Sequence, residues 1–160
     1  MAFRGSINGG LVFLEAVPGP VGWVGEASFT FGTNDAELDA KTVTINTGLK
    51  KGVPGSGDKV TIGTEETIVD FGNGIGRFKL VTRFVTQHGN KTESWVNETG
   101  TIVPIDSDGT FADVRGQYTL HGPFGPFIPQ PDLTGYVPLG LGWLGEFHGT
   151  ICGFDPTLIN

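Results

Sequence analysis

Apolar and polar positions along this chain alternate in short runs of period two, and no window carries a convincing helical period of 3.6 residues. The runs predict about eight strands: Leu11 to Val17, Gly25 to Gly32, Lys41 to Thr47, Lys59 to Phe71, Gly76 to His88, Thr92 to Ile105, Thr110 to His121 and Trp143 to Phe154. Thr33 to Lys41 is read as one turn of helix or a loop with a short strand. Turn chemistry separates the runs, as in Pro18-Gly-Pro-Val-Gly, Pro54-Gly-Ser-Gly-Asp, Gly72-Asn-Gly-Ile-Gly, His88-Gly-Asn-Lys and Asp106-Ser-Asp-Gly. Short turns join antiparallel neighbours, and an open sheet of such strands would leave two long edges that closure removes. The expectation is an all-β single domain over residues 1–160. Its architecture is expected to be an eight-stranded antiparallel up-and-down barrel with a long Pro/Gly-rich loop before the last strand, a two-sheet sandwich being the alternative.

That loop, residues 122–142, is too rich in proline for a helix and too apolar for an ordinary solvated connection. Phe124, Phe127, Tyr136, Leu133, Leu139 and Leu141 are out of place in a disordered segment. It is read either as a lid over a barrel mouth or as a surface that docks on a neighbouring subunit.

Splitting each run into its two faces sorts the candidate chemistry. Phe78, Leu80, Thr82, Phe84, Thr86 and His88 share a face expected to point inward, as do Ala112, Val114, Gly116, Tyr118 and Leu120. Phe111, Asp113, Arg115, Gln117, Thr119 and His121 then point out. Gly116 in mid-strand suggests a bulge or a close approach of another chain segment. Three runs stay ambiguous. Glu66 and Asp70 oppose Glu65 and Phe71, Trp95 and Asn97 oppose Val96 and Glu98, and His148 and Cys152 oppose Phe147 and Ile151. An inward carboxyl would have a raised pKa suited to general acid or base work. An inward phenol satisfies itself on a core carbonyl or meets a ligand.

Composition narrows the partners. The formal net charge is −7, so the basic footprint that nucleic acid or an anionic membrane requires is missing, and neither is an expected partner. Cys152 is the single cysteine, which excludes an intramolecular disulfide and makes a reducing compartment the simplest assumption. The apolar run Leu11-Val12-Phe13-Leu14 is too short for a signal peptide or a membrane span, so a cytoplasmic location is expected. No His-x-His, Cys-x-x-Cys or His-Glu-x-x-His spacing occurs, so no metal site is expected.

The segment Gly100-Thr-Ile-Val-Pro-Ile-Asp-Ser-Asp-Gly-Thr-Phe-Ala-Asp-Val-Arg-Gly-Gln-Tyr resembles a pattern of the allene oxide cyclase and dirigent proteins: a strand, a glycine turn, an aromatic residue, a short gap and a second glycine strand. It covers under a fifth of the chain. The resemblance implies an eight-stranded antiparallel barrel, often trimeric, with an apolar cavity in which reactive small molecules are cyclised, coupled or isomerised without a cofactor.

The expected function is therefore a cofactor-free cyclase, isomerase or lyase acting on a small apolar or aromatic, natural-product-like molecule. Tyr118 and His148 are the candidates for proton transfer, with Glu66 or Glu98 as the carboxylate partner. Phe78, Phe84, Trp95 and Trp143 are read as walls, and Phe124 and Tyr136 as substrate contacts from the long loop. Two alternatives remain: a non-catalytic carrier of a small hydrophobic ligand, and an oligomerising structural protein whose 122–142 segment is an interface. A homo-oligomer, dimer or trimer, is expected.

Overall fold

A computed structural model describes residues 3–7, 12–18, 23–32, 37–51, 60–88, 94–129, 136–143 and 146–154, with side chains described for part of these. The strands are β1 (Phe3–Ile7), β2 (Val12–Pro18), β3 (Trp23–Gly32), β4 (Glu37–Lys51), β5 (Val60–Asp70), β6 (Arg77–His88), β7 (Ser94–Pro104), β8 (Arg115–Pro129), β9 (Tyr136–Trp143) and β10 (Glu146–Cys152). All lie in one sheet, ordered β1-β10-β8-β7-β6-β5-β4-β3-β2-β9, with further pairings between β1 and β3 and between β8 and β9. Every pairing is antiparallel.

The class is the expected one, but among the described residues there are ten strands, not eight. Two added strands, β1 and β9, make the difference, and β4 is longer than expected. The short polar run Phe3–Ile7 becomes a strand because β10 supplies a full ladder for it, from Phe3 opposite Ile151 to Ile7 opposite Phe147. Residues 37–41 form no helical turn; they open β4 and pair with β3, Glu37 opposite Gly32. The stretch read as a long loop is mostly hairpin: β8 continues to Pro129 and β9 returns along it, Pro129 opposite Tyr136 and Phe124 opposite Trp143.

The β5–β6 connection is built as its residues require. Gly72, Asn73 and Gly74 all have positive φ, 68°, 52° and 75°. The Gly72 N–H donates to Asp70 Oδ1 at 2.8 Å, and the Phe71 N–H donates to the Gly76 carbonyl at 3.2 Å.

Burial alternates strictly. On β5 and β6, Thr61, Glu65, Thr67, Val69, Phe78, Leu80, Thr82, Phe84 and Thr86 are buried, while Ile62, Val81 and Val85 on the opposite face are exposed. The inner face holds two zones. Near the Gly72–Gly76 turn is an aromatic cluster in which Phe111 stacks on Phe71 with centroids 5.0 Å apart, meets Phe78 edge-on at 5.3 Å and touches Phe154 at 5.1 Å. Here too the sequence reading is corrected. Residues 110–113 form a turn, and β8 begins only at Arg115. The turn rolls Phe111 into the core at 3% exposure instead of outward. Beyond the cluster the inner face becomes polar.

Candidate functional site

Register builds the polar zone. Asn46, Glu65, Thr82, Gly100, Tyr118 and Gly149 are successive partners across β4, β5, β6, β7, β8 and β10. They form one row on the inner face. In the adjacent row Gly63, Phe84, Glu98 and Leu120 pair in turn. On the other side lie Thr44 and Thr67, whose buried hydroxyls hydrogen-bond at 2.8 Å.

Tyr118 is the side chain that ties the row together. Gly100 separates it from Thr82, and a Cβ at Gly100 would lie 2.6 Å from the ring carbon Cζ and 2.7 Å from the phenolic oxygen. The ring therefore lies flat over the bare backbone of β7, an arrangement that only glycine permits there. The phenol thereby reaches the Thr82 hydroxyl two strands away and hydrogen-bonds to it. Phe84 uses the same device, its Cε1 lying 2.7 Å from where a Cβ of Gly63 would stand. Gly116, the mid-strand glycine, is explained by close approach: the Thr150 carbonyl occupies the space of its missing Cβ.

Two carboxyls flank this phenol. Glu65 is the row neighbour of Thr82, and Glu98 stands two residues from Gly100 on the same face of β7. Given the spacing of strands and residues, their α-carbons are roughly 12 Å apart across β6, and the charge of Glu98 is felt at Glu65. Burial, reinforced by the charge of Glu98, holds the Glu65 carboxyl well above the usual carboxylate range. Burial pushes Glu98 up to about 7. Burial and then the charge of Glu98 also raise the Tyr118 phenol, against the opposing effect of its bond to Thr82. Two carboxyls that both resist ionisation and feel one another titrate as a pair, so near neutral pH the site holds a proton that it can give or take.

The structure brings only part of the expected constellation together. Tyr118, Glu98, Phe78 and Phe84 share the inner face, with Tyr118, Phe78 and Phe84 at 4%, 2% and 7% exposure. Glu66 points the other way and binds Lys79 Nζ at 3.1 Å. His148 is exposed, on the face opposite that of its chain neighbour Gly149, which pairs with Tyr118, and does not point toward the phenol. Trp95 is exposed at 45% and packs on His121, itself held by Asn97 through a 2.6 Å hydrogen bond. The side chains of Trp143, Phe124 and Tyr136 lie outside the described residues. Glu65 and Thr82 were not among the expected site residues. The signal for Glu65 was its place two and four residues before Thr67 and Val69 on the face that ends in Phe71. Among the described residues no group of three or more His, Cys, Asp and Glu converges as a metal site would require.

No family model, curated protein or solved structure matches this chain.

Proposed function

We propose that the inner face binds a small molecule and catalyses a cofactor-independent proton transfer on it, as a cyclase, isomerase or lyase does. The observation that carries this reading is the Glu65 and Glu98 pair, two carboxyls with raised pKa values on either side of the Tyr118 phenol. One protonated and one ionised carboxyl supply an acid and a base at the same pH, and a neutral phenol between them orients a carbonyl or hydroxyl by hydrogen bonding. The threonine hydroxyls favour a substrate with polar groups, and the rings of Phe84 and Tyr118 favour an apolar portion.

Closure of the sheet into an eight-stranded barrel belongs to the same proposal. The path β1-β10-β8-β7-β6-β5-β4-β3 returns to its start through the pairing of Ser6 with Gly32, and buried side chains on a single sheet need cover that curvature supplies. The resemblance to allene oxide cyclase and dirigent proteins agrees with such a barrel and with chemistry that needs no cofactor. A cytoplasmic location and a homo-oligomer complete the reading. The exposed apolar set Ile45, Ile62, Val81, Val85 and Trp95 is the outer surface that a second copy would cover.

The test is to incubate the protein, and separately its Glu65→Gln and Glu98→Gln variants, with a small-molecule extract of its host in deuterated water and to follow metabolites by mass spectrometry. Conversion of one compound to a product of equal mass or one lacking water, with deuterium incorporated and both variants impaired, supports the reading. No conversion, or conversion unaffected in both variants, refutes it. A compound retained unchanged would make the protein a carrier.

A further inference from the structure

The tip of the β5–β6 connection joins a conformational demand to a chemical one. Gly72 to Ile75 is a tight turn closed by the Ile75 N–H, which donates to the Gly72 carbonyl at 2.9 Å. Its two central residues, Asn73 and Gly74, have φ of 52° and 75°, and a turn with positive φ at both central positions selects asparagine followed by glycine. That same pair is chemically labile. Glycine puts no Cβ beside its nitrogen, so the backbone can approach the carbonyl carbon of the preceding side chain. Gly72, Asn73 and Gly74 are all exposed, and a Cβ built at Gly72 or Gly74 would meet nothing beyond its chain neighbours within 4 Å. The turn stands clear of the sheet, and a loop tip of this kind opens at small cost in free energy.

We propose that Asn73 is a modification site at which the chain deamidates spontaneously and forms isoaspartate. The Gly74 backbone nitrogen attacks Asn73 Cγ and a C–N bond forms. Its proton passes to solvent, and the side-chain amide nitrogen leaves as ammonia with a proton taken from water. The product is a five-membered succinimide spanning the two residues. Water then opens the ring at one of its two carbonyls. Opening at the former side-chain carbonyl leaves aspartate in a normal chain, whereas opening at the main-chain carbonyl leaves Gly74 linked through Cγ, an isoaspartyl residue. Nothing is oxidised or reduced, and the sum is loss of ammonia and gain of water. The aspartyl product keeps the turn, because aspartate before glycine also accepts positive φ. The isoaspartyl product adds one carbon to the main chain of the tip. That lengthens the path between the Phe71 N–H and the Gly76 carbonyl, which hydrogen-bond at 3.2 Å. Phe71 packs on Phe78 and Phe111 with centroids 5.7 and 5.0 Å apart, so the change reaches the aromatic end of the core.

The experiment is to age the full chain at pH 8 and 37 °C beside a synthetic peptide of residues 68–78, and to follow Asn73 by peptide mapping with electron-transfer fragmentation, which tells isoaspartate from aspartate. Mapping also separates Asn73 from Asn8-Gly9, the other Asn-Gly pair of the chain. The expected result is a gain of one mass unit at Asn73, with both acids present and isoaspartate in excess, at a rate within about tenfold of the free peptide, the margin left by opening an exposed loop tip. Asn73→Gln should remove the gain at this position. The isoaspartyl species, isolated by chromatography, should melt at a lower temperature than Asn73→Asp, which carries the same charge on a normal backbone. Conversion slower than that of the peptide by more than about tenfold, or aspartate without isoaspartate, overturns the inference. An isoaspartyl species as stable as Asn73→Asp overturns its link to the aromatic core. The unmodified protein and the peptide decide the modification even if a variant does not fold.

Discussion

Replacing Gly100 by alanine should expel Tyr118 from its seat. The new Cβ would stand 2.6 Å from ring carbon Cζ, well inside contact distance, and a ring packed at 4% exposure has little room to retreat. Overpacking of this kind costs about 1–3 kcal/mol, and losing the hydrogen bond to Thr82 adds about 1 kcal/mol. Against this, alanine lowers the entropy of the unfolded chain and returns about 0.4–1 kcal/mol, since the Gly100 backbone is not in the left-handed region. The net expectation is a loss of about 1–3 kcal/mol, read as a fall in Tm of about 3–10 °C for a domain of this size. Urea denaturation of four proteins, wild type, Gly100→Ala, Tyr118→Ala and the double variant, isolates the clash. Without the ring, the same Gly100→Ala change should become neutral or stabilising by up to about 1 kcal/mol. An equal penalty in both backgrounds, or none in either, would refute the account of Tyr118 lying on β7.

Three further outcomes follow from burial and charge. Burial raises Glu98 from 4.5 to about 7, so the native state holds that proton more tightly than the unfolded chain. Its contribution is complete below about pH 4.5 and is lost as pH rises through about 7, by at most about 3 kcal/mol at about 1.4 kcal/mol per pH unit. Urea midpoints from pH 5 to 9 should fall for the wild type and fall less steeply for Glu98→Gln, in which Glu65 still resists ionisation; a wild-type midpoint that rises over that range would contradict the assignment. Phe111→Ala should cost about 3–5 kcal/mol by emptying the centre of the aromatic cluster. Arg77→Ala, which removes an exposed ion pair with Asp106, should leave the chemical-denaturation midpoint almost unchanged, and a loss comparable with that of Phe111→Ala would show the reasoning to be wrong.

Period-two alternation, the absence of any helical period and the Gly72-Asn-Gly-Ile-Gly turn follow from local sequence, because strand pleat and positive φ are local requirements. The inward faces of β6 and β8 were legible for the same reason, and Tyr118, Phe78, Phe84 and Leu120 lie where alternation places them. On β5 both faces mix apolar with charged residues, so one sequence permits either orientation, and pairing with β4 and β6 decided that Glu65 goes in and Glu66 out. Thr82 had the right side and Glu98 an undecided one, and neither had visible company, since the row from Asn46 to Tyr118 draws on residues 46 to 118 and exists only through register. Residues 123–129 and 136–143 were misread because proline and glycine weaken a strand's own propensity, whereas the ladder between β8 and β9 rewards it. Local chemistry determined what each segment could be. The sheet decided which carboxyls lost their water, because that depends on neighbours brought together from distant parts of the chain.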